Sequence, residues 1–505
     1  MRSGAISTAW LRVQANAASL LAGIALPFAF APFGFSPFAV LAPAVLFAIW
    51  ETAPPRRALL SGWLFGLGMF GLGVSWVHES FQYSNVGAAL AAALTALLVV
   101  FLALFPALLG YLVARTATAS QAARLLLLLP AGWVLAEWVR GWFLTGFTWL
   151  QLGYSQANSP LRSLATVFGV YGVSWCLALL AGGLVLAVRT GSRAVLIYFG
   201  SVVVLLAGTY ALERVQWTQA QGQTIQLALV QGNVPQDQKW LSSQRQPTLD
   251  RYFGLTREHW DADLVVWPES ALPGFLHNFI PALTQLAGEA EQQGTDLLLG
   301  VEVLDRASQQ YFNSVLAITP QLSFYHKRHL VPFAEYLPLE RLLRPPVDLL
   351  GLPVSRFSQG PSRQPPIAVA GETVGLSVCY EFAFGEEIIE ALPEATLLIN
   401  VSNDAWFGDS IGPHQNLEMA RMRAVETGRY LARATNTGIT ALIGPSGDIK
   451  ERIPQFETHV LSAEVSPMTG ATPYVRMGNI PVLIGLAAAL TAVGIGAWRG
   501  TRQRR

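Results

Sequence analysis

Residues 374–381 read VGLSVCYE. The run is apolar and strand-length, and it delivers Cys379, Tyr380 and Glu381 at its carboxyl end. A second such run, ADLVVW at 262–267, leads into Pro268 and Glu269 (VVWPES, 265–270). Between the two, Lys327 opens KRHLVPFAEY, which contains Glu335. Further short apolar runs fall at 224–230 (TIQLALV), 296–303 (DLLLGVEV), 314–318 and 396–401 (TLLINV). Polar, helix-forming stretches separate them, as at 280–294 and 414–432. Strands that are apolar throughout are buried on both faces, which predicts layered sheets covered by helices, an α/β domain. In such sheets sites gather beyond the carboxyl ends of strands. One site then collects a thiol, an ammonium and carboxylates.

Outside 213–479 the chain changes character. The whole sequence of 505 residues is 52% hydrophobic and 13% charged, against about 25% charged in soluble domains. Apolar stretches at 17–33, 37–50, 58–77, 86–113, 122–139, 165–189, 193–212 and 480–498 predict eight membrane spans, since a span takes about 20 apolar residues. The expected organisation is a bundle of about seven helices over 1–212, an extracytoplasmic catalytic domain over 213–479, a last span at 480–498 and a basic cytoplasmic tail at 499–505. The first stretch reads as a retained helix, not a cleaved signal peptide. Arg2, Arg12, Arg56, Arg57, Arg115, Arg124, Arg189, Arg193, Arg499, Arg502, Arg504 and Arg505 fall on one side of this arrangement. The positive-inside rule makes that side cytoplasmic. A net charge of +1 gives no footing for nucleic acid.

Gly66, Gly68 and Gly71 spell GxGxxG inside an apolar span, without the strand and helix a dinucleotide site requires. They read as small residues for close helix packing. The seven histidines lack metal-ligand spacing, so no metal and no cofactor is expected. Cys176 and Cys379, the two cysteines, lie in unlike surroundings and predict no disulfide. Each candidate has a plainer reading when taken alone: Cys379 as a small buried hydrophobe, Glu269 as a cap, Lys327 as a solvated charge. Together they suit nucleophilic acyl chemistry. A lysine ammonium favours a thiolate, a carboxylate moves the proton, and the lysine with the Tyr380 N–H faces an oxyanion. Apolar loops at 271–283 and 336–354 suit contact with a bilayer, with Arg341 and Arg344 available for lipid phosphate. Trp149, Trp240 and Trp406 read first as interface anchors, and Glu137 with Arg140 as a helix-surface ion pair.

WPES, KRHLVPFAEY and CYE, with QGNVPQ at 231–236, FNSV at 312–315 and NVSNDAWFG at 400–408, resemble the carbon–nitrogen hydrolase (nitrilase) superfamily over about 225–470. That resemblance implies an α-β-β-α sandwich and a Glu–Lys–Cys triad. Spans, then such a domain, then one more span resemble the apolipoprotein N-acyltransferase family, as do GFTWLQLGYSQ at 146–156 and TPYVRMGN at 472–479. The resemblance implies a monomeric, cofactor-free enzyme of the bacterial inner membrane with a periplasmic site. Its implied acyl donor is a phospholipid, typically phosphatidylethanolamine. Its implied acceptor is the N-terminal amine of a diacylated apolipoprotein, reached through a cysteine thioester in a ping-pong scheme. Glu269 is then the base, Lys327 the oxyanion partner and Cys379 the nucleophile. Glu335 orients the lysine, Tyr380 and Glu381 shape the site, and Trp240 and Trp406 stand near it. Two competing readings are a membrane-anchored amidase using the same triad, and a transporter or scaffold with a degenerate domain. The upstream spans argue against the first. The scarcity of ionisable groups within them argues against the second.

Overall fold

The computed structural model describes residues 2–84, 86–118, 120–352 and 354–503. Arg504 and Arg505 lie outside them, and the side chains of Arg2, Arg12 and Arg502 outside those described. The chain forms two compact units. One comprises Met1–His78, Gly87–Val215 and Met477–Arg505, the other Glu79–Val86 and Gln216–Arg476.

The helical unit departs from eight regular spans. Five helices among the described residues are long and apolar enough to cross a membrane: Ala88–Arg115, Gln121–Arg140, Pro160–Thr190, Ser192–Leu212 and Ile480–Arg499. A sixth is Pro55–Gly73 with Val77–Tyr83, a pair bent by 54°. Val13–Ala29 and Phe38–Trp50 are shorter apolar helices. Prolines explain the shortening, because a proline lacks the N–H that continues a helix. Pro27 sits where the first helix tightens into a 3-10 turn, and Pro32 and Pro37 fall in the break that follows. The 13 residues of Phe38–Trp50 rise about 20 Å, short of a hydrocarbon core of about 30 Å. Gly66 and Gly68 do what their helical setting implied. A side chain on Gly66 would meet Ala103 Cα at 2.6 Å, and one on Gly68 would meet Leu20 O at 2.6 Å.

Glu137 and Arg140 are buried, not displayed on a helix surface. The Glu137 carboxylate accepts from Trp133 Nε1 and Leu152 N, each at 2.9 Å. The Arg140 guanidinium donates to the carbonyls of Phe147 (2.8 Å) and Trp149 (2.6 Å). Both side chains thus fasten the irregular segment after their helix.

The second unit contains β1 (Thr218–Ala220), β2 (Ile225–Gln231), β3 (Leu264–Val266), β4 (Asp296–Asp305), β5 (Gln310–Ile318), β6 (Ser323–His326) and β7 (Ile367–Val369). It continues through β8 (Glu372–Val378), β9 (Leu397–Ser402), β10 (Leu431–Thr435), β11 (Thr440–Ile443), β12 (Ile449–Ile453), β13 (His459–Val465) and β14 (Met468–Gly470). One six-stranded sheet runs β13-β2-β3-β4-β5-β6, a second β12-β11-β10-β9-β8-β7, and β1 pairs with β14. Leu227, Leu229, Val266 and Leu298 share one apolar core with Val374, Val378, Ile399 and Val401 of the other sheet. The alternate residues Ala228, Val230, Val265 and Leu299 pack outward with Leu249, Tyr252, Phe253, Leu283 and Leu286. Those last five belong to helices Arg245–Arg257 and Ile280–Gln293. The helix Gly412–Thr427 is buried along most of its length. The strands are therefore apolar on both sides because both sides are covered.

Parallel pairing of β2, β3 and β4, and of β8, β9 and β10, aligns strand ends within each sheet. Gly300 on β4 makes the first of these ends close-fitting. A side chain there would lie 2.0 Å from Pro268 O and 2.7 Å from Glu269 Cα, while Ala271 N donates to Gly300 O at 2.9 Å. Gly300→Ala is expected to destabilise the protein by about 1–3 kcal/mol, seen as a lower thermal midpoint in detergent. An unchanged midpoint would refute the tight contact.

Candidate active site

Three chain segments converge. After β3 the chain turns at Pro268–Ser270, with Ser270 at φ 48°. Trp267 anchors the turn: its N–H donates to Leu298 O at 2.8 Å and its Nε1 to Thr256 Oγ1 at 2.9 Å. Lys327 immediately follows β6, and Cys379 immediately follows β8. Cys379 has φ 49°, a left-handed conformation uncommon outside glycine and recurrent at functional turns. It begins a single 3-10 turn, Cys379–Ala383.

Glu381 ties the second segment to the third. Its buried carboxylate accepts from Val378 N (2.7 Å), Arg328 N (2.7 Å), His329 N (3.2 Å) and Tyr325 Oη (3.0 Å). Burial raises its pKa, although the Val378 and Arg328 N–H groups pull the other way. The residues next to Lys327 and next to Cys379 thus hang on one side chain.

The Lys327 ammonium is 2.9 Å from Glu335 Oε1 and 3.4 Å from Glu269 Oε1. The Asn313 amide donates to the same two oxygens, 2.7 Å to Glu269 and 3.2 Å to Glu335. The remaining carboxylate oxygens receive main-chain N–H groups, Glu269 from Asn403 at 2.8 Å and Glu335 from Val331 at 2.7 Å. Burial opposes the charge of Lys327, but Glu335, Glu269 and Cys379 outweigh it and hold its pKa well above the ordinary lysine range.

The thiol behaves otherwise than the sequence suggested. Burial, then the Glu269 charge, push Cys379 up to about 12, against a smaller downward pull from Lys327. The lysine alone does not make a thiolate here. Burial is the larger cause of the raised pKa, and the Glu269 carboxylate adds to it. The arrangement therefore suits a nucleophile whose proton is removed by a base during attack.

Several neighbours went unread in the sequence. Asn313 lies in FNSV and Asn403 in NVSNDAWFG, runs that carry the family resemblance but give no sign of a task for their amides. Asn403 is itself held by Gln236 (2.9 Å) and Asn436 (3.2 Å). The following residue, Asp404, forms a fully buried two-pronged pair with Arg433 at 3.0 and 2.9 Å. Lys239, adjacent to the favoured Trp240, is buried with Nζ 3.4 Å from the main-chain oxygen of Glu269.

The remaining candidates spread out. Tyr380 is buried and packs on Phe384 (ring centroids 5.0 Å apart) and His329 (5.3 Å). Trp240 is largely exposed, and Trp406 is half-exposed with its ring edge-to-face on Tyr83. Arg341 is exposed. Arg344 is engaged by Glu340 (2.8 Å) and Asp348 (3.7 Å) of its own helix. Trp149 belongs to the helical unit and is buried among Trp76 and Phe147, which is not the setting of an exposed interface anchor. Among the described residues no group of three His, Cys, Asp or Glu is placed to hold a metal ion.

Comparison with known proteins agrees with this architecture. Residues 22–183 match the model of the apolipoprotein N-acyltransferase N-terminal domain, and residues 226–474 match the carbon-nitrogen hydrolase model. The second unit thus has the nitrilase-like α-β-β-α fold. A Methylococcus capsulatus protein named apolipoprotein N-acyltransferase is 47% identical over 480 residues, covering 94% of this chain and 94% of its own. One of that name from Vibrio cholerae is 41% identical over 507 residues, covering 98% and 99%. Another from Nitrosomonas europaea is 41% identical over 495 residues, covering 96% and 98%. With both domains present in order and similarity running nearly end to end, the chain belongs to the apolipoprotein N-acyltransferase family.

Proposed function

We propose that the protein transfers an acyl chain from a membrane phospholipid, through a thioester on Cys379, to the N-terminal α-amino group of a diacylated apolipoprotein. One observation carries this: the Lys327 ammonium lies 3.4 Å from Glu269, and the Glu381 carboxylate, bonded to Val378 N and Arg328 N, ties the residue before Cys379 to the residue after Lys327. The catalytic triad is Glu269, Lys327 and Cys379. Glu269 takes the thiol proton as sulfur attacks the ester carbonyl. Lys327 and the Tyr380 N–H meet the oxyanion. The C–O bond breaks, Glu269 returns the proton to the departing lyso-phospholipid, and the thioester remains. The acceptor amine then attacks, the C–S bond breaks, and Glu269 carries a nitrogen proton to sulfur. Glu335 and Asn313 hold Lys327 and Glu269, and Glu381 holds the turn that carries the nucleophile.

Family membership and the distribution of arginines support a proposed setting. Phosphatidylethanolamine is the proposed donor. The proposed location is a bacterial inner membrane, with the catalytic domain of 213–479 on the periplasmic face. Arg56, Arg57, Arg115, Arg124, Arg189 and Arg193, all in or beside short loops between apolar helices, support a cytoplasmic side for those loops. One chain carries the entire triad, so a monomer suffices. Leu342 and Leu349 in the 336–354 segment are 69% and 87% exposed, which supports insertion of that segment into lipid. Arg341 beside them is the freer candidate for a headgroup phosphate.

Two outcomes follow. Protein incubated with phosphatidylethanolamine is expected to carry one fatty acyl adduct on Cys379 by mass spectrometry. Cys379→Ala is expected to carry none, and Lys327→Met to form the adduct about 10²–10³-fold more slowly. An adduct persisting in the alanine variant would rule the scheme out. Separately, in a Cys176→Ser background, iodoacetamide should alkylate Cys379 slowly at pH 7. The rate should climb roughly tenfold per pH unit up to pH 9 without a plateau, as for any thiol titrating above that range. A plateau near pH 7 would show instead that the resting sulfur is a thiolate.

A further inference from the structure

Acyl transfer to an amine has a proton balance that thioester formation lacks. When the thioester forms, the Cys379 hydrogen ends on the departing alcohol, and the site keeps its proton count. In the second half-reaction the acceptor arrives at neutral pH chiefly as an ammonium, since an α-amino group titrates at about 7.7–8.0. One N–H proton must leave before nitrogen has a lone pair to attack with. The C–N bond then forms, the C–S bond breaks, and a second N–H proton passes through Glu269 to sulfur. Each turnover thus leaves one surplus proton, and Glu269 cannot hold it while serving the sulfur.

Two charged groups beside Glu269 have no task in that scheme. Lys239 is 1% exposed, and its ammonium donates to the Glu269 carbonyl at 3.4 Å. Glu302 on β4 stands directly opposite Asn313 on β5. Paired residues of an antiparallel ladder project to the same side. Glu302 therefore points to the side where the Asn313 amide holds Glu269 and Glu335. Gly300, two residues earlier and on that same side, is where the Glu269 turn rests on β4.

The charges facing Glu302 are Lys239, Glu269 and Glu335. From the segment paired to it at Phe275, His277 stacks on the Phe275 ring. Those facing Lys239 are Glu269 and Glu302. Burial lifts the Glu302 carboxyl to about 7, with Lys239 drawing it down and Glu269 and Glu335 adding to the rise. Burial lowers Lys239 to about 8 against the pull of Glu269 and Glu302. Both groups exchange protons near neutrality, as a partner for an α-ammonium must.

Granted the acyl-transfer function proposed above, we infer that Glu302, paired with Lys239, takes the surplus proton of the amine step from Glu269 and passes it out of the site. The thioester step has no such proton, so the two half-reactions separate this role from a structural one. In the test, full-length wild-type and Glu302→Gln proteins are loaded from phosphatidylethanolamine in detergent. The isolated thioester is then mixed with a synthetic diacylglyceryl-cysteinyl peptide between about pH 6.5 and 9.5. Thioester formation by Glu302→Gln should stay within about twofold of wild type. Amide formation should fall by at least about tenfold at pH 7, and the defect should shrink above pH 9, where the amine arrives uncharged. Lys239→Gln, which removes the charge drawing Glu302 down, should move the amine step to higher pH. Loss of both steps in Glu302→Gln, or amide formation at the wild-type rate, would overturn the assignment. A wild-type protein that formed no thioester would sink the acyl-transfer function itself, and this assignment with it.

Discussion

A lysine ammonium shut away from water between two carboxylates is the constraint on which the site depends. Lys327 is 1% exposed, and an unpaired ion at that depth is severely unfavourable. Glu335 and Glu269 make it tolerable. Removing one partner from such a buried pair typically costs about 3–5 kcal/mol. Burial first, and then the Glu269 charge, raise the Cys379 pKa against the pull of Lys327. The surrounding polar groups follow from the pairing. Asn313 and the N–H groups of Asn403 and Val331 supply donors to carboxylate oxygens that one ammonium cannot satisfy.

Much of this was legible in the sequence because it lives in local pattern. Runs such as TIQLALV and TLLINV lack polar alternation for a physical reason: Leu227 and Leu229 face one core while Ala228 and Val230 face another. Glu269, Lys327, Cys379 and Glu335 could be picked out because reactive residue types at strand ends are rare enough to notice. The amides of Asn313 and Asn403 were not legible as donors. Their role depends on a ladder register and on a contact between residues 134 apart in sequence, which no local window contains. Lys239 was passed over for its neighbour Trp240, since burial of a lysine cannot be read from its flanks. The balance at the sulfur is not legible for a related reason: Lys327 draws its pKa down, while the burial and the Glu269 charge that outweigh it belong to the folded state.

The helical unit shows the same boundary. Composition marked where apolar helices lie, and Pro27, Pro32, Pro37 and Pro43 mark the first two stretches as irregular. The first tightens into a 3-10 turn at Pro27 and the second forms Phe38–Trp50, whereas the 54° bend of the third near Val74–Trp76 has no proline at the break to announce it. Glu137 and Arg140, three residues apart, invited pairing as neighbours on one turn. Both also bond main-chain groups of Leu152, Phe147 and Trp149, because an irregular segment packed among helices presents N–H and C=O groups that need partners.

The four hydrogen bonds of Glu381 have a further consequence. They link Val378, the residue before Cys379, to Arg328 and His329 after Lys327 and to Tyr325 before it. The exposed leucines of 339–350 stand outside that link. None of those leucines takes part in the bonds that seat Cys379 beside the Lys327 segment, so the surface they form can diverge in sequence while the spacing inside the pocket is kept.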